Sequence, residues 1–276
     1  MFTLATLAYL AGGIIALKRL MSDDSKQQAT PVVMALTGFC LHTVSLGWNW
    51  AESGHFFVNT PFSNLSFLAW CAVLVFLLCY RIFSAPAALA SFFLPVVVLF
   101  SAAALLISFV KSSETAGQLN WMMAAHGILM LVGYGAFAFA FVTGVMYLVQ
   151  EHQLKAKVFG KLFRRMPSLA ILDKMNVMAI TIGFPLYTVS LLVAVTATAG
   201  SGKSPLAWVQ SPLGFLGVVT WALYLCVVNV RFLTALRGKK AAYLTVLGFA
   251  LVLFTLGLFF SIDDLHQNIG LQGNTK

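Results

Sequence analysis

Long apolar stretches separated by short polar segments follow one another along the whole chain. A bilayer core about 30 Å thick requires about 20 apolar residues for a helix to cross it, and eight stretches reach that length. They occupy residues 2–20, 32–50, 63–83, 86–110, 121–150, 175–199, 212–236 and 241–262. The pattern predicts an all-α fold, a polytopic membrane helix bundle with about eight transmembrane helices that forms a single membrane domain over residues 1–276.

The composition agrees with a chain that lies largely in lipid. Hydrophobic residues make up 60% of the 276 residues and charged residues only 9%, whereas roughly a quarter of the residues in a soluble domain are charged. This excludes a soluble enzyme, a secreted disulfide scaffold and a nucleic-acid-binding module. The first apolar stretch is expected to remain as a helix rather than to act as a cleavable signal, because Lys18 and Arg19 follow it instead of preceding it.

The basic residues fall almost entirely on one side of the predicted membrane. Of the 17 lysines and arginines, all but Lys111, Lys203 and Lys276 follow spans one, three, five or seven. Cationic loops are retained in the cytoplasm, so we expect both termini on the non-cytoplasmic side. The longest inner loop, residues 154–174, mixes cations with apolar residues at helical spacing. It is predicted to be a basic amphipathic segment on the inner leaflet, with docking of a partner protein as the alternative.

Histidines and tryptophans collect toward the predicted outer face. His42, His126 and His266 lie within or just beyond the outer ends of spans two, five and eight. All six tryptophans lie in the same half of the membrane, and Trp121 and Trp208 are at its outer boundary. An aromatic belt explains part of this pattern, but such a belt occupies both interfaces.

These residue types fit a large flat ligand held by imidazole. Neutral histidine is a common axial ligand of heme iron, and indole rings can line the edge of the macrocycle. The pattern therefore favours heme near the outer surface. The alternative is that each intramembrane histidine hydrogen-bonds a neighbouring helix. His55 and His152 are interpreted as loop or interface residues.

Other chemistry has little support in the sequence. The eight acidic residues lie in loops or at span ends, so a proton-coupled transporter would lack the intramembrane carboxylates that relay protons. This distribution does not exclude a passive small-molecule permease. The four cysteines form no C-x-x-C pair, so neither a zinc site nor a motif for covalent heme attachment is encoded.

Several segments have a familiar order and spacing. They are the run from His42 to His55 (HTVSLGWNWAESGH), the run from Pro61 to Trp70 (PFSNLSFLAW), the segment Trp121–His126 (WMMAAH) with its continuation to Glu151, the segment Arg237–Phe249, and His266. Together they resemble the cytochrome c assembly family, which groups CcsA/ResC, CcmC and HemX/YpjD-like membrane proteins. The resemblance extends from about residue 30 to residue 268.

The resemblance implies that the protein handles heme on the outer face of the membrane during cytochrome c maturation. In the family, two histidines that flank a tryptophan-rich outer loop ligate heme. By matching motif these are His126 and His266, the implied ligands of the heme iron, with Trp121 and Trp208 packed nearby. His42 matches the first member of a further histidine pair that binds heme within the bilayer in the CcsA-like branch.

Two departures change what the resemblance implies. The family's W-x-W-D-P loop is replaced by Trp208-Val-Gln-Ser-Pro, in which Gln210 and Ser211 stand for the second tryptophan and the aspartate. The second membrane histidine is replaced by Asn229, and asparagine is a poor iron ligand. The chain thus resembles the small eight-span HemX/YpjD-like branch, whose members are mostly accessory proteins, more than the heme lyases.

The sequence therefore predicts a heme-binding accessory protein of cytochrome c assembly in a bacterial inner membrane, without lyase activity of its own. The expected partners are heme, the lipid bilayer, and cytochrome c assembly or respiratory membrane proteins, and no nucleic acid. The alternative is a cofactor-free structural or regulatory membrane subunit of a respiratory or heme-biosynthesis complex that keeps the family fold.

Overall fold

The computed structural model describes residues 1–22, 29–53, 60–83, 88–109, 121–202, 204–232 and 238–273. Side chains are described for the same residues except 53, 205, 231–232 and 260–273.

Ten helices account for nearly all of the described residues, and no strand is found among them. Eight are long and apolar enough to cross a membrane, which confirms the all-α polytopic bundle. These are α1 (Phe2–Met21), α2 (Thr30–Ser53), α3 (Pro61–Phe83), α4 (Ala88–Phe109), α5 (Trp121–Lys155), α7 (Leu169–Gly200), α9 (Pro212–Phe232) and α10 (Lys239–Gly273). The other two are short, α6 (Lys161–Arg165) and α8 (Pro205–Gln210).

The long helices pack as two groups of four. In the first group, α1 packs against α2 and α4, and α3 packs against α2 and α4. In the second group, α5 and α9 each pack against α7 and α10, and the contact between α5 and α7 is the most extensive in the bundle. The two groups are joined mainly along α3 and α5.

Small residues allow the central helices to approach closely. A Cβ atom on Gly135 of α5 would lie 3.0 Å from Cys71 Cβ of α3, and one on Gly183 of α7 would lie 2.9 Å from Ala136 Cβ of α5. Membrane helices associate largely through such packing, because lipid gives no hydrophobic force between them. Gly135 and Gly183 therefore fix the distances of α3 and α7 from α5.

One end of the bundle carries most of the described basic residues. Here α1, α3, α5 and α9 end, and α2, α4, α7 and α10 begin. Contacts between helix ends confirm the arrangement, because the Arg165 guanidinium donates to the Arg19 carbonyl and Lys239 lies 3.7 Å from Glu151. We call this the basic end. The opposite end, which carries Trp48, Trp50, Trp121 and Trp208, is the aromatic end.

Candidate functional site

His126 is held against α7 by a pair of reciprocal contacts. It lies five residues into α5, near the aromatic end. Its Nδ1 atom is 2.9 Å from the Ser190 carbonyl oxygen and 2.9 Å from Ser190 Oγ. In return, Ser190 Oγ donates to the His126 carbonyl at 3.0 Å. The close packing of α5 on α7 brings these two residues together.

These contacts determine which ring nitrogen of His126 carries the proton. A carbonyl oxygen can only accept a hydrogen bond, so Nδ1 must be protonated to bond the Ser190 carbonyl. The Ser190 hydroxyl has a single proton, which it donates to the His126 carbonyl, so it too accepts from Nδ1. In a neutral imidazole this leaves the lone pair on Nε2, which has no partner among the described residues. Metal-binding histidines are oriented in this way by a carbonyl on the other nitrogen.

A cleft lies between the His126–Ser190 pair and the aromatic end of the bundle. It has a volume of about 470 Å³ and is lined by Met123, Ala197, Thr198, Ser201, Ala207, Trp208 and Ser211. Met123 precedes His126 by three residues, and Ala197 follows Ser190 by seven, so both share a helix face with the pair below them. The cleft therefore lies at the aromatic end of the groove between α5 and α7, and its lining ends about one turn short of His126.

Of the two residues that stand in place of the family's loop motif, Ser211 has a structural role of its own. Ser211 Oγ accepts from the Gly214 backbone amide at 3.1 Å, so it caps the start of α9, where Pro212 is the first helical residue. A helix start favours serine followed by proline. Trp208 is partly buried, with one ring atom 3.8 Å from where a Cβ on Gly217 would lie. Gln210 is exposed.

The six tryptophans do not form one wall. Trp208 lines the cleft, but Trp121 is 71% exposed, and Trp48 and Trp50 are exposed as well. The remaining two are partly buried and bonded to neighbouring helices, since Trp70 donates to Thr43 Oγ1 at 2.8 Å and Trp221 donates to Thr188 Oγ1 at 3.0 Å. Of the two tryptophans expected beside the iron, Trp208 lies next to the cleft and Trp121 points away from the bundle.

His42 lies in a different environment from His126. It is fully buried in the first group of helices. Its Nε2 atom is 2.9 Å from Ser66 Oγ of α3, and its Nδ1 atom is 3.3 Å from the Tyr9 hydroxyl of α1. The Phe2 ring is 4.9 Å away. Both nitrogens are occupied, so this packing does not fit a histidine that coordinates iron.

Asn229 is not brought near His42. Its side chain is exposed, and its amide donates to the Leu225 carbonyl of the same helix at 2.7 Å. The helices concerned belong to different groups, because α2 packs on α1 and α3, whereas α9 packs on α7 and α10. The position that corresponds to the second membrane histidine therefore faces outward from α9.

The side chain of His266 lies outside the described residues, as does the whole of His55. The backbone of His266 is part of α10, which runs antiparallel to α5. The register of the two helices is set by Gly144 beside Ala242 and by Phe141 stacked on Phe249 with ring centroids 4.9 Å apart. At 1.5 Å per residue, this register brings residue 266 to within about one turn of the level of His126.

Sequence reasoning missed the partners of both histidines. Ser190, Ser66 and Tyr9 are single polar residues inside apolar runs, and such residues occur throughout the eight spans. The only signal is that an intramembrane hydroxyl needs a hydrogen-bond partner. In the part of the chain that the structure describes, no three His, Cys, Asp or Glu side chains come together to hold a bare metal ion.

The fold and the site define an all-α polytopic membrane protein in which one oriented histidine lies about a turn from a cleft at the aromatic end. The sequence model described as cytochrome C assembly protein matches residues 63–266. The chain is 27% identical to the cytochrome c biogenesis protein CcsA of Guillardia theta over 248 residues, which is 82% of this chain and 80% of that protein. It is 30% identical to protein HemX of Bacillus subtilis over 159 residues, 56% of each. The chain therefore belongs to the cytochrome c assembly protein family.

The match includes only part of the predicted site. His126, His266, Trp121 and Trp208 lie within residues 63–266, whereas His42 precedes them. The Chlamydomonas reinhardtii CcsA is 26% identical over 254 residues, covering 88% of this chain and 69% of that protein.

Proposed function

We propose that the protein acts in cytochrome c assembly as an accessory protein that holds heme at the outer face of the membrane. His126 and His266 would be the axial ligands, and the aromatic end of the bundle would face the non-cytoplasmic side of a bacterial inner membrane. Heme would be the cargo, and its iron would supply the coordination sites for the two imidazoles. Membership in the family supports the role in assembly.

The hydrogen bond from His126 to the Ser190 carbonyl carries the proposal. It orients the ring and leaves Nε2 as a lone-pair donor, which is the state that iron coordination requires. The donor set fits heme better than a bare metal, since an imidazole that has no group of further metal-binding side chains around it among the described residues needs a ligand that brings its own nitrogen donors. The cleft above it, at about 470 Å³, has the size of small-molecule sites.

The optical spectrum of the purified full-length protein in detergent tests this role. We expect a Soret band on addition of heme, which His126→Ala and His266→Ala each weaken strongly. His152→Ala is the matched control, because His152 is an exposed histidine at the opposite end of α5. A band that survives both outer substitutions would contradict the assignment.

Trp208 and Trp121 allow a second test, in which the Soret band is followed as heme is titrated into the protein. Trp208 lines the cleft and Trp121 is exposed, so Trp208→Ala should raise the Kd for heme several-fold while Trp121→Ala leaves it unchanged. Equal effects of the two substitutions would mean that the cleft does not receive the ligand.

A second candidate function is a structural membrane subunit without cofactor. The enclosure of His42 and the outward position of Asn229 favour it, because the two positions that would hold heme within the bilayer do not meet. A protein that stays colourless with heme in excess, and that co-purifies with a membrane complex, would support this candidate.

A further inference from the structure

The segment that joins α5 to α7 presents an exposed surface of a distinct kind. We call it the basic loop surface and define it by six residues that are all exposed: Lys155, Lys157, Val158, Phe159, Lys161 and Arg164. Val158 is 55% exposed and Phe159 is 50% exposed. Two apolar side chains therefore lie uncovered among four cations.

The other side of the segment is anchored to the protein. Leu162 packs against the hydrophobic core, and Met166 is 6% exposed. Arg165 donates to the Arg19 carbonyl, one of the last carbonyls of α1 that lack an intrahelical partner. The apolar residues of the segment thus divide, with Leu162 and Met166 facing the bundle and Val158 and Phe159 facing away from it.

The contact with α1 determines the depth of the surface. At 1.5 Å per residue, the 20 residues of α1 extend about 30 Å, which just spans a hydrocarbon core. The C-terminal turn of α1 therefore lies at the boundary with the headgroups, and α6, which touches it, lies at the same level. Lys161 and Arg164, which belong to α6, therefore place this part of the basic loop surface near the headgroup layer.

The described part of the basic end contains more cations than carboxylates. Among the described residues of the basic end, the carboxylates are Glu151 and Asp173. Glu151 is shared by Lys155 at 2.5 Å and Lys239 at 3.7 Å. Lys157 and Arg164 add further positive charge beside Val158 and Phe159. Cations next to exposed apolar side chains at headgroup depth fit an anionic lipid surface.

We propose that the basic loop surface binds the anionic phospholipid headgroups of the adjoining leaflet, with Phe159 and Val158 inserted between them. Its cations pair with lipid phosphates, and the apolar pair replaces the water that would otherwise separate the loop from the acyl chains. Such binding locks α6 against α1 and so orders the connection between α5 and α7. The proposal does not depend on heme.

Hydrogen exchange of the full-length protein in lipid nanodiscs tests this binding. We compare discs of phosphatidylcholine with discs that contain one quarter phosphatidylglycerol, and follow the backbone amides of residues 155–165. Each cation near an anionic surface contributes about fivefold in binding. We therefore expect exchange to be about tenfold slower with phosphatidylglycerol, and this difference to shrink at high salt.

Three variants locate the effect. The triple substitution Lys157→Gln, Lys161→Gln and Arg164→Gln should abolish the lipid dependence. The matched control, Lys18→Gln, Arg81→Gln and Lys240→Gln, removes the same charge from other helix ends and should preserve it. The double substitution Val158→Ser and Phe159→Ser keeps every charge and should retain only part of the lipid dependence. All eight residues are exposed, so folding should be retained.

Three outcomes would overturn the proposal. Equal exchange in the two lipids would mean that no anionic headgroup is bound. An equal loss of the lipid dependence in the control variant would mean that the effect comes from the overall charge of the basic end. Protection that appears only with a soluble protein partner would assign the surface to protein docking.

Discussion

The Nδ1 atom of His126 and the carbonyl oxygen of Ser190 are 2.9 Å apart, across the most extensive helix contact in the bundle. The serine hydroxyl returns a bond to the histidine carbonyl. The pair thus acts both as a clamp between α5 and α7 and as the support that holds the imidazole in one orientation. The hydroxyl of Ser190 can be removed while its carbonyl remains to accept from Nδ1, so the clamp can be weakened without removing the carbonyl that orients the ring.

Ser190→Ala should weaken the clamp and spare the orientation. The substitution removes the hydroxyl but keeps the carbonyl that accepts from Nδ1, so His126 keeps its tautomer. Interhelical hydrogen bonds in membranes are worth about 0.6 kcal/mol on average, and we expect a loss of stability of this order. The heme Kd should change much less than in His126→Ala, as measured by Soret titration. A collapse of binding in Ser190→Ala would show that the carbonyl alone does not orient the ring.

His42 should stabilise the fold and contribute nothing to heme binding. His42→Ala removes the link between Tyr9 and Ser66, leaves two buried hydroxyls without their partner and opens a cavity. We expect a loss of about 2 kcal/mol in the free energy of unfolding, measured by denaturation in mixed micelles. The Soret band should be unchanged at temperatures where the variant is folded. A larger effect on the spectrum than that of His126→Ala would move the site to the first group of helices.

Asn229→His should not create a heme site within the bilayer. The side chain at this position is exposed on α9, and His42 is enclosed in the other helix group. In a protein that also carries His126→Ala and His266→Ala, we therefore expect no Soret band from the added histidine. The appearance of a band that His42→Ala removes would require a different arrangement of α2 and α9.

Gly183→Val should separate α5 from α7. The new side chain would meet Ala136 Cβ and the Phe137 ring at about 3 Å, and overpacking of this kind costs about 1–3 kcal/mol. Gly47→Val is the control, since nothing lies within 4 Å of a Cβ at that position. Thermal unfolding followed by circular dichroism should show a lower Tm for the first variant only.

The fold could be predicted because hydropathy and length suffice for membrane helices. Each of the eight spans needs about 20 apolar residues in any arrangement. The number of spans can therefore be predicted without knowing which helices contact each other. The start of the short helix α8 also has a local sequence signal, namely Ser204 before Pro205. The same serine–proline pair stands at the start of α9. In α8, Ser204 Oγ accepts from the Leu206 amide at 3.3 Å.

The site could be predicted only in part, because its contacts join helices that are distant in the sequence. His126 stands out as an imidazole near the end of a span, but Ser190 is one of many hydroxyls in apolar runs. Which of them meets His126 depends on the lateral order of the helices, and hydropathy does not encode that order. The same limit applies to the tryptophans, since depth alone does not separate the cleft residue Trp208 from the exposed Trp121.

The separation of the bundle into two groups of helices has a consequence for genetics. Both nitrogens of His42 have their partners within α1–α3, whereas Nδ1 of His126 has its partners on α7, so neither network relies on the other. In a saturation-mutagenesis screen, variants that accumulate normally yet no longer retain pigment should map to the second group of helices, which begins with α5 at Trp121. Changes around His42 should instead appear as lowered abundance.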